Sequence, residues 1–399
     1  MVAMDSIFGG PLRILILGKD PSLFHSFSER HIGDARTRHI FYSQRLQARY
    51  AGSEIRLLTY TPHGSDSHYQ NPCQGLHLYG TESFHRATYL VSLVRKLPTV
   101  LTKGWRPDIV TVQTPWEEGV LGYFLARCLG ARFIPQVHFD LFSTAWASEH
   151  CLNPLRRLIA RQILRRADRV RVVSQLLREK VAVDCAISLN RIDVIPVGVN
   201  FIPASGKRSD FKARLSPLLV DRKVVLFVGR LCQQKNLKLW VNVASRVANQ
   251  VPNATFVIVG DGSHRLLMRE WVLASGLEER FLFLGSRMHE ELPAVYAAAD
   301  IFLLTSDYEG LARVVQEAML AGLPVVSTAC SGSTELIEEG RTGHILACGD
   351  APGLAQAVSR LLADDAKAAR FGASGRRRIE NEFTFERLTD RLIDAWLTR

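Results

Sequence analysis

The chain has 399 residues, of which 47% are hydrophobic and 22% charged, and its formal net charge is +11. This composition excludes a disordered or collagen-like chain, and the length fits two domains of about 200 residues better than one core. The charge is uneven: residues 1–200 hold 25 basic against 16 acidic side chains, and residues 201–399 hold 25 against 23, so the first half carries most of a field that attracts phosphate, nucleic acid or anionic lipid.

Short apolar runs alternate with longer amphipathic stretches. In the first half, Leu12–Leu17 reads as a strand, then a helix near Thr37–Tyr50, and strand Glu54–Tyr60. A helix near Tyr89–Leu101, strand Asp108–Val112, helix Glu117–Leu129 and strand Arg132–Val137 follow. Helix Pro154–Arg166, strand Arg169–Val173, helix Gln175–Asp184 and strand Ile192–Ile195 complete this half. Pro196 to Pro217, rich in Pro, Gly and Ser and carrying Lys207–Arg208, reads as an interdomain connection.

The second half repeats the alternation. Its strands are Val224–Val228, Thr255–Val259, Phe281–Leu284, Asp300–Leu304 and Pro324–Ser327. Its helices lie near Asn236–Asn249, His264–Leu273, Glu290–Ala298, Leu311–Leu320 and Ser333–Glu338. After Asp350 the chain is helical to the end, with a break expected at Phe383–Thr384. Strand–helix alternation of this spacing predicts an α/β fold, with two Rossmann-like domains of parallel strands covered by helices. The expected division is 1–199, 200–382 and a terminal helix over 383–399. A cleft at the carboxyl ends of the strands is the expected binding place.

No apolar run reaches the roughly 18 residues of a membrane span. Met1–Pro11 lacks the basic-then-apolar order of a secretory leader. The 7 cysteines form no C-x-x-C pair, so zinc and a disulfide framework are not expected and a reducing cytoplasm is the simplest setting.

Three segments have the residue types for chemistry on a phosphorylated ligand. Gly229-Arg230-Leu231 with Lys235-Asn236 follows directly on a strand. Arginine as a fork and lysine as a point charge suit a diphosphate, although a solvated basic loop has the same appearance. Glu309-Gly310 precedes a helix that holds Glu317 about two turns in. The open amides after Gly310 favour an anion, leaving the two carboxylates for hydroxyls on either side of it; a helix-start glutamate plus a solvated one fits the spacing equally. Val259-Gly260-Asp261-Gly262 is a weak dinucleotide fingerprint without its third glycine, and no P-loop, G-x-S-x-G or H-E-x-x-H is present.

These pieces resemble, in order, the retaining glycosyltransferases of family four, which have the GT-B fold; the likeness runs from about Leu12 to Leu397. Phe227-Val228-Gly229-Arg230-Leu231 with Lys235-Asn236 resembles that family's phosphate loop. Ile258 to Gly262 resembles its central strand and turn, and Glu309 through Glu317-Ala318-Met319 resembles its E-x7-E signature. In the first half, Gln136-Val137-His138, Val173-Ser174 and Ile195-Pro196-Val197-Gly198-Val199-Asn200 are similar to looser family segments.

The resemblance implies a nucleotide-diphosphate-sugar donor, a glycan, lipid-linked or small-molecule acceptor, retention of configuration and no metal or other cofactor. It implies that Arg230 and Lys235 bind the diphosphate, Glu317 the ribose, and Glu309 the sugar hydroxyls, with Gly33, Gly229, Gly260, Arg287, Gly310 and Leu311 completing the donor site. His138, Arg230, Lys235 and Glu309 form the implied catalytic set. His138 would stand near the sugar and acceptor, though a strand-end histidine bonded to backbone fits as well. Two departures stand out. Where many members have a glycine pair, only Gly33 remains, followed by Asp34 at an N-cap position and by Arg36 and Arg38, which face an anionic acceptor or water. Gly33, Asp34, Arg36 and His138 are thus the expected acceptor side. Arg313 stands where small or apolar residues are usual and is expected to add a donor contact.

Pro154–Arg166 has Leu155, Leu158, Ile159 and Ile163 at helical spacing, beside an arginine stripe at 157, 161 and 165. Tyr89–Lys103 mixes Leu90, Leu93, Val94 and Leu97 with Arg95, Lys96 and Lys103. Such helices lie on anionic membrane or pack an apolar stripe in the core with the basic face in water; both readings stay open. The basic segments lack aromatic interleaving, so nucleic acid is not an expected partner. The reading is a cytoplasmic enzyme, peripheral at the inner membrane face in one version. The rivals are another GT-B enzyme, such as an epimerase or phosphorylase, and a catalytically silent sugar-nucleotide-binding subunit of a glycan assembly complex.

Overall fold

The structure is a computed structural model and describes residues 10–24, 34–61, 69–81, 88–102 and 104–398. The chain divides into two compact units. One takes the stretches up to Phe142, from His150 to Pro196 and from Glu386 on; the other takes Ser143–Glu149 and Val197–Phe385.

The first unit is built on strands β1 (Arg13–Gly18), β2 (Glu54–Thr59), β3 (Tyr69–Cys73), β4 (Leu76–Gly80), β5 (Ile109–Val112), β6 (Arg132–Val137), β7 (Val170–Val172) and β8 (Ile192–Val194). They form one sheet in the order β3-β4-β2-β1-β5-β6-β7-β8. β1, β2, β5 and β6 are buried on both faces nearly throughout, which is why they read as unbroken apolar runs. The sheet is parallel except that β3 pairs antiparallel with β4, a departure from the all-parallel expectation. β3, Tyr-Gln-Asn-Pro-Cys, is polar and contains Pro72, which restricts it to an edge.

Helices α1 (Asp34–Arg49), α2 (Tyr89–Val100), α3 (Glu117–Leu129), α5 (Asn153–Arg166) and α6 (Gln175–Cys185) cover this sheet, while α4 (Thr144–Glu149) belongs to the other unit. Their ends follow local chemistry. Gly130 ends α3 in the left-handed region, and the Ser174 hydroxyl accepts from Leu177 N at 3.3 Å to start α6.

The second unit has β9 (Lys223–Val228), β10 (Ala254–Val259), β11 (Phe281–Gly285), β12 (Ile301–Leu304), β13 (Val325–Thr328) and β14 (Gly343–Leu346). All are parallel, in the order β11-β10-β9-β12-β13-β14. Its helices are α7 (Arg208–Leu215), α8 (Leu237–Gln250), α9 (Arg265–Ala274), α10 (Leu292–Ala297), α11 (Arg313–Leu320), α12 (Ser331–Leu336), α13 (Ala351–Ala363) and α14 (Asp365–Glu382). The stretch 196–217 is not merely a connection. α7 lies in it and is fixed to this unit by Lys212, whose ammonium reaches Asp300 at 2.8 Å and the Arg222 carbonyl at 2.6 Å.

After the break at Phe383–Thr384 the chain forms α15 (Phe385–Leu397). Leu392, Ile393 and Trp396 enter the first unit's core beside Leu12, Ile14 and Ile55. Arg132 Nη1 caps this helix by donating to the Trp396 carbonyl at 2.7 Å.

Candidate active site

The site in the second unit grows from the carboxyl ends of β9, β10 and β12. Gly229 follows β9 and donates to the Val259 carbonyl at 3.0 Å; Leu231 N donates to Asp261 O at 2.9 Å. These bonds draw the two loops into contact, so a Cβ on Gly260 would lie 1.9 Å from the Gly229 carbonyl oxygen. Arg230 is exposed, with Nη2 3.5 Å from Gln234 Oε1.

Lys235 is 8% exposed and Glu309 7%, and their ammonium and carboxylate are paired directly. The same carboxylate accepts from Ser306 Oγ at 2.8 Å and Gln234 Nε2 at 3.3 Å. Gln234 also donates to the Tyr308 carbonyl at 3.0 Å. Thus Glu309 is not a loose loop acid: four neighbouring side chains form one buried, charge-assisted network. Asn236 stabilises the approach to it. Its φ of 44° is left-handed, its Oδ1 accepts from Leu239 N at 3.2 Å to cap α8, and its Nδ2 donates to Asp307 Oδ1 at 2.6 Å.

α11 begins at Arg313, not at Leu311 as its sequence pattern implies, and Gly310–Ala312 remain an entry loop. The start of α12 packs on that loop: a Cβ on Gly332 would sit 2.6 Å from Ala312 N and 3.0 Å from Gly310 O. Ser331 Oγ donates to the Glu309 carbonyl. Glu317 is 4% exposed and accepts from Tyr296 OH at 2.8 Å. Burial first, then the Glu317 charge, hold the Tyr296 phenol far above its ordinary range, while Arg313 acts in the opposite sense. Tyr296 is therefore a permanent donor that aims Glu317. Arg287 lies exposed on the loop after β11, 3.6 Å from Glu291.

Of the sequence-derived donor residues, the structure gathers Gly229, Lys235, Gly260, Glu309 and Gly310 into tied loops. Arg230, Arg287, Arg313 and Glu317 sit on elements that border or follow them. Ser306, Ser331, Gly332 and Tyr296 were not singled out in the sequence. Only Gly332 carries a signal there, as a small residue just after a strand; the others act through tertiary contacts.

In the first unit, His138 follows β6 and is half-buried. Desolvation, then the charges of Arg171 and Arg38, push it down to about 3, so it is neutral near pH 7. Arg36 donates to Leu23 O at 3.1 Å and Gln70 Oε1 at 2.5 Å, bracing α1 rather than facing water. Asp34 is the first residue of α1; Gly33 and Lys103 lie outside the described residues. The arginine stripe on α5 is bonded to α6: Arg157 and Arg161 approach Asp184 at 3.9 and 3.1 Å, and the exposed Arg165 donates to Cys185 O at 2.7 Å. Among the described residues, no group of three or more His, Cys, Asp or Glu side chains is placed to hold a metal ion, and no helix is long and apolar enough to cross a membrane.

Comparison with known proteins bears on both units. Residues 210–378 match the family described as Glycosyl transferases group 1, and residues 41–198 match the Glycosyl transferase 4-like domain. A 2-deoxystreptamine N-acetyl-D-glucosaminyltransferase of Streptomyces fradiae is 30% identical over 66% of this chain and 65% of its own length. A GDP-mannose-dependent alpha-(1-6)-phosphatidylinositol monomannoside mannosyltransferase of Mycolicibacterium smegmatis is 31% identical over 63% of this chain and 66% of its own. The matched stretches thus span just under two thirds of these two relatives. In fold, a sucrose-phosphate synthase from Thermosynechococcus elongatus superposes with a TM-score of 0.80 at 22% identity, covering 96% of this chain and 98% of that one. Anabaena HepE, solved with UDP and glucose, gives 0.74 at 20% identity over 96% and 98%. With both halves matched in chain order and the paired-sheet fold shared along nearly the whole length, the chain belongs to the group 1 glycosyl transferases, on the GT-B fold.

Proposed function

We propose that this chain transfers a sugar from a nucleotide-diphosphate donor to an acceptor, with retention and without a bound metal. The observation that carries the reading is the buried Lys235–Glu309–Gln234–Ser306 network beside exposed Arg230 at the strand ends. Lys235 has three N–H donors and gives one to Glu309, so others remain for a donor phosphate. Lys235 and Arg230 then stabilise the negative charge that grows on the leaving diphosphate. Glu309 takes hydroxyls of the sugar, and Glu317, aimed by Tyr296, takes those of the ribose. Transfer on one face, with the leaving phosphate accepting the proton of the acceptor hydroxyl, needs no carboxylate nucleophile. Neutral His138 fits the acceptor side as a hydrogen-bonding group.

The donor reading is tested by calorimetry with UDP, GDP, ADP and CDP without metal. One nucleotide is expected to bind, and Arg230→Ala, Lys235→Ala and Glu317→Ala each weaken it by about tenfold or more, the worth of a charge-assisted bond. Absence of binding by folded protein would remove the reading. Retention is checked from the anomeric configuration of the product by NMR.

Contact with an anionic membrane is part of the proposal. α3 touches both α2 and α5. Across these helices Val91 and Val94, Phe124, and Leu155 and Leu158 are each more than half exposed, with exposed Arg95, Arg127 and Arg166 among them. Exposed apolar side chains and exposed arginines on the same helices suit an anionic lipid surface. The chain is expected to sediment with phosphatidylglycerol vesicles at physiological salt, and Phe124→Ser with Leu155→Ser to release it. Wild-type chain that stays in solution would remove this part.

A further inference from the structure

We infer that Glu149, at the end of α4, is a positioning residue for the sugar end of the donor site, acting through Tyr308 on Glu309. The inference rests on the transferase reading for the ligand. The contacts themselves do not depend on it.

Among the described residues, Ser143–Glu149 is the one stretch before Val197 that belongs to the second unit. The chain leaves the first unit after Phe142 and re-enters it at His150, so α4 is tied at both ends. Ser143 Oγ accepts from Trp146 N at 3.1 Å to start the helix, and Trp146 is 6% exposed. A helix of 6 residues does not hold by its own bonds, so its conformation depends on what it docks against. α4 lies against the 3-10 turn Gln233–Lys235, which carries the lysine of the buried network.

Tyr308 joins α4 to that turn. Its carbonyl accepts from Gln234 Nε2 at 3.0 Å, and its phenol donates to the Glu149 carboxylate. The residue is 7% exposed, and a buried phenol requires such a partner. Burial first, then the bond to Glu149 and its charge, hold the phenol above its ordinary range, with Cys232 and Glu309 acting in the same sense. Tyr308 is thus a permanent donor, and Glu149 is the acceptor that fixes it.

Glu309 is the next residue, and two links carry a shift of Tyr308 to it. One is the chain itself. The other is Gln234, whose Nε2 serves both the Tyr308 carbonyl and the Glu309 carboxylate. On the other side Asp307 is held independently, by its N–H to Gln234 O at 3.0 Å and by Asn236 Nδ2 at 2.6 Å. Freeing Tyr308 therefore turns the 308–309 stretch about a fixed point instead of releasing the whole loop. The two ends of a donor respond differently to such a turn. Hydrogen bonds to sugar hydroxyls weaken steeply with angle and are lost with a shift of about 1 Å. The attraction of Arg230 and Lys235 for a diphosphate falls only gently with distance. Loss of Glu149 acts on recognition of the sugar more than on that of the diphosphate.

The experiment is calorimetry on the full chain, comparing the free nucleotide that binds with its glucose, galactose and mannose conjugates, which differ in the configuration of single hydroxyls. The wild type is expected to bind one conjugate about fivefold or more tighter than the other two, within the range of coupled neighbours. Glu149→Ala and Tyr308→Phe should each level that preference to within about twofold and leave nucleotide affinity within about twofold, and the double variant should be no worse than either, as for two residues that share one bond. Glu149→Gln, whose amide oxygen still accepts from the phenol, should keep most of the preference. Where Glu149→Ala does not fold, Tyr308→Phe, which retains the ring, makes the same comparison. A lower melting midpoint with the preference intact overturns the inference and leaves α4 a structural brace. A wild type indifferent to the sugar overturns it as well, as does an equal loss of nucleotide and conjugate, which would make α4 a support for the phosphate turn as a whole. In these outcomes the transferase reading stands; folded wild-type chain that binds no nucleotide removes that reading, and this inference with it.

Discussion

His39 shows what a single buried side chain does to the pH response. Its imidazole is 3% exposed and lowered from an ordinary 6.5 to about 4 by burial and by Arg38. The unfolded chain takes up a proton below about pH 6.5, and the folded chain does not until about 4. Stability from this group is therefore complete above 6.5 and is lost as pH falls toward 4, at up to roughly 1.4 kcal/mol per pH unit. Urea unfolding at pH 7 and pH 5 should show a smaller difference in His39→Gln than in the wild type. An unchanged difference would place the acid sensitivity elsewhere. At this scale the sequence was half legible. Arg230, Lys235, Glu309 and Glu317 stand in a recognisable order, so they could be named. The pairing of Lys235 with Glu309 and the Tyr296 bond to Glu317 could not, because they join residues that are far apart in the chain. The bonds from Arg36 to Leu23 and Gln70 likewise join stretches that the sequence does not bring together.

Among the elements, the loops after β9 and β10 have the tightest requirement. Gly260 combines a φ of 132°, which other residues rarely adopt, with a Cβ position 1.9 Å from a backbone oxygen. Backbone cannot swing aside as a flexible side chain can, so Gly260→Ala must part the two loops. It is expected to lower thermal stability and to weaken nucleotide binding in the same variant. Gly229→Ala, whose added Cβ would meet side-chain atoms at 3.4 Å or more, is expected to disturb the midpoint less; differential scanning calorimetry orders the two. Strands buried on both faces were legible from their apolar runs. β3 was not, being polar with an internal proline, nor was β14, whose four residues include a glycine and a histidine. α7 was hidden because its stabilising contacts, Lys212 to Asp300 above all, come from 88 residues further along the chain, just before β12. The apolar residues of α5 divide between roles: Ile163 is 6% exposed, whereas Leu155 and Leu158 are each 54% exposed. Periodicity alone assigns them to one stripe.

On the scale of the whole molecule, the chain visits its two units out of order. The first is closed by residues that follow the second in sequence. α15 contributes Trp396, 1% exposed, to the core around Leu12 and Ile14. The ion pairs along its outer side, Arg45 with Asp390 at 2.7 Å and Arg49 with Asp394 at 2.6 Å, are exposed and contribute little. Apolar burial holds the helix, so Trp396→Ala should cost about 3–5 kcal/mol of the first unit's stability, while Asp394→Ala should cost well under 1 kcal/mol. Denaturant unfolding of the two variants tests that ranking; a reversed order would mean that the helix is held by charge.

That late-arriving helix also sets a timetable. During synthesis, at about 5–20 residues per second, strands β1 and β2 of the first sheet leave the ribosome hundreds of residues before the helix that covers them. The second unit, by contrast, has its whole Val197–Phe385 sheet available earlier. Until α15 emerges, the nascent chain presents an apolar face with no partner, the kind of surface that holding chaperones occupy.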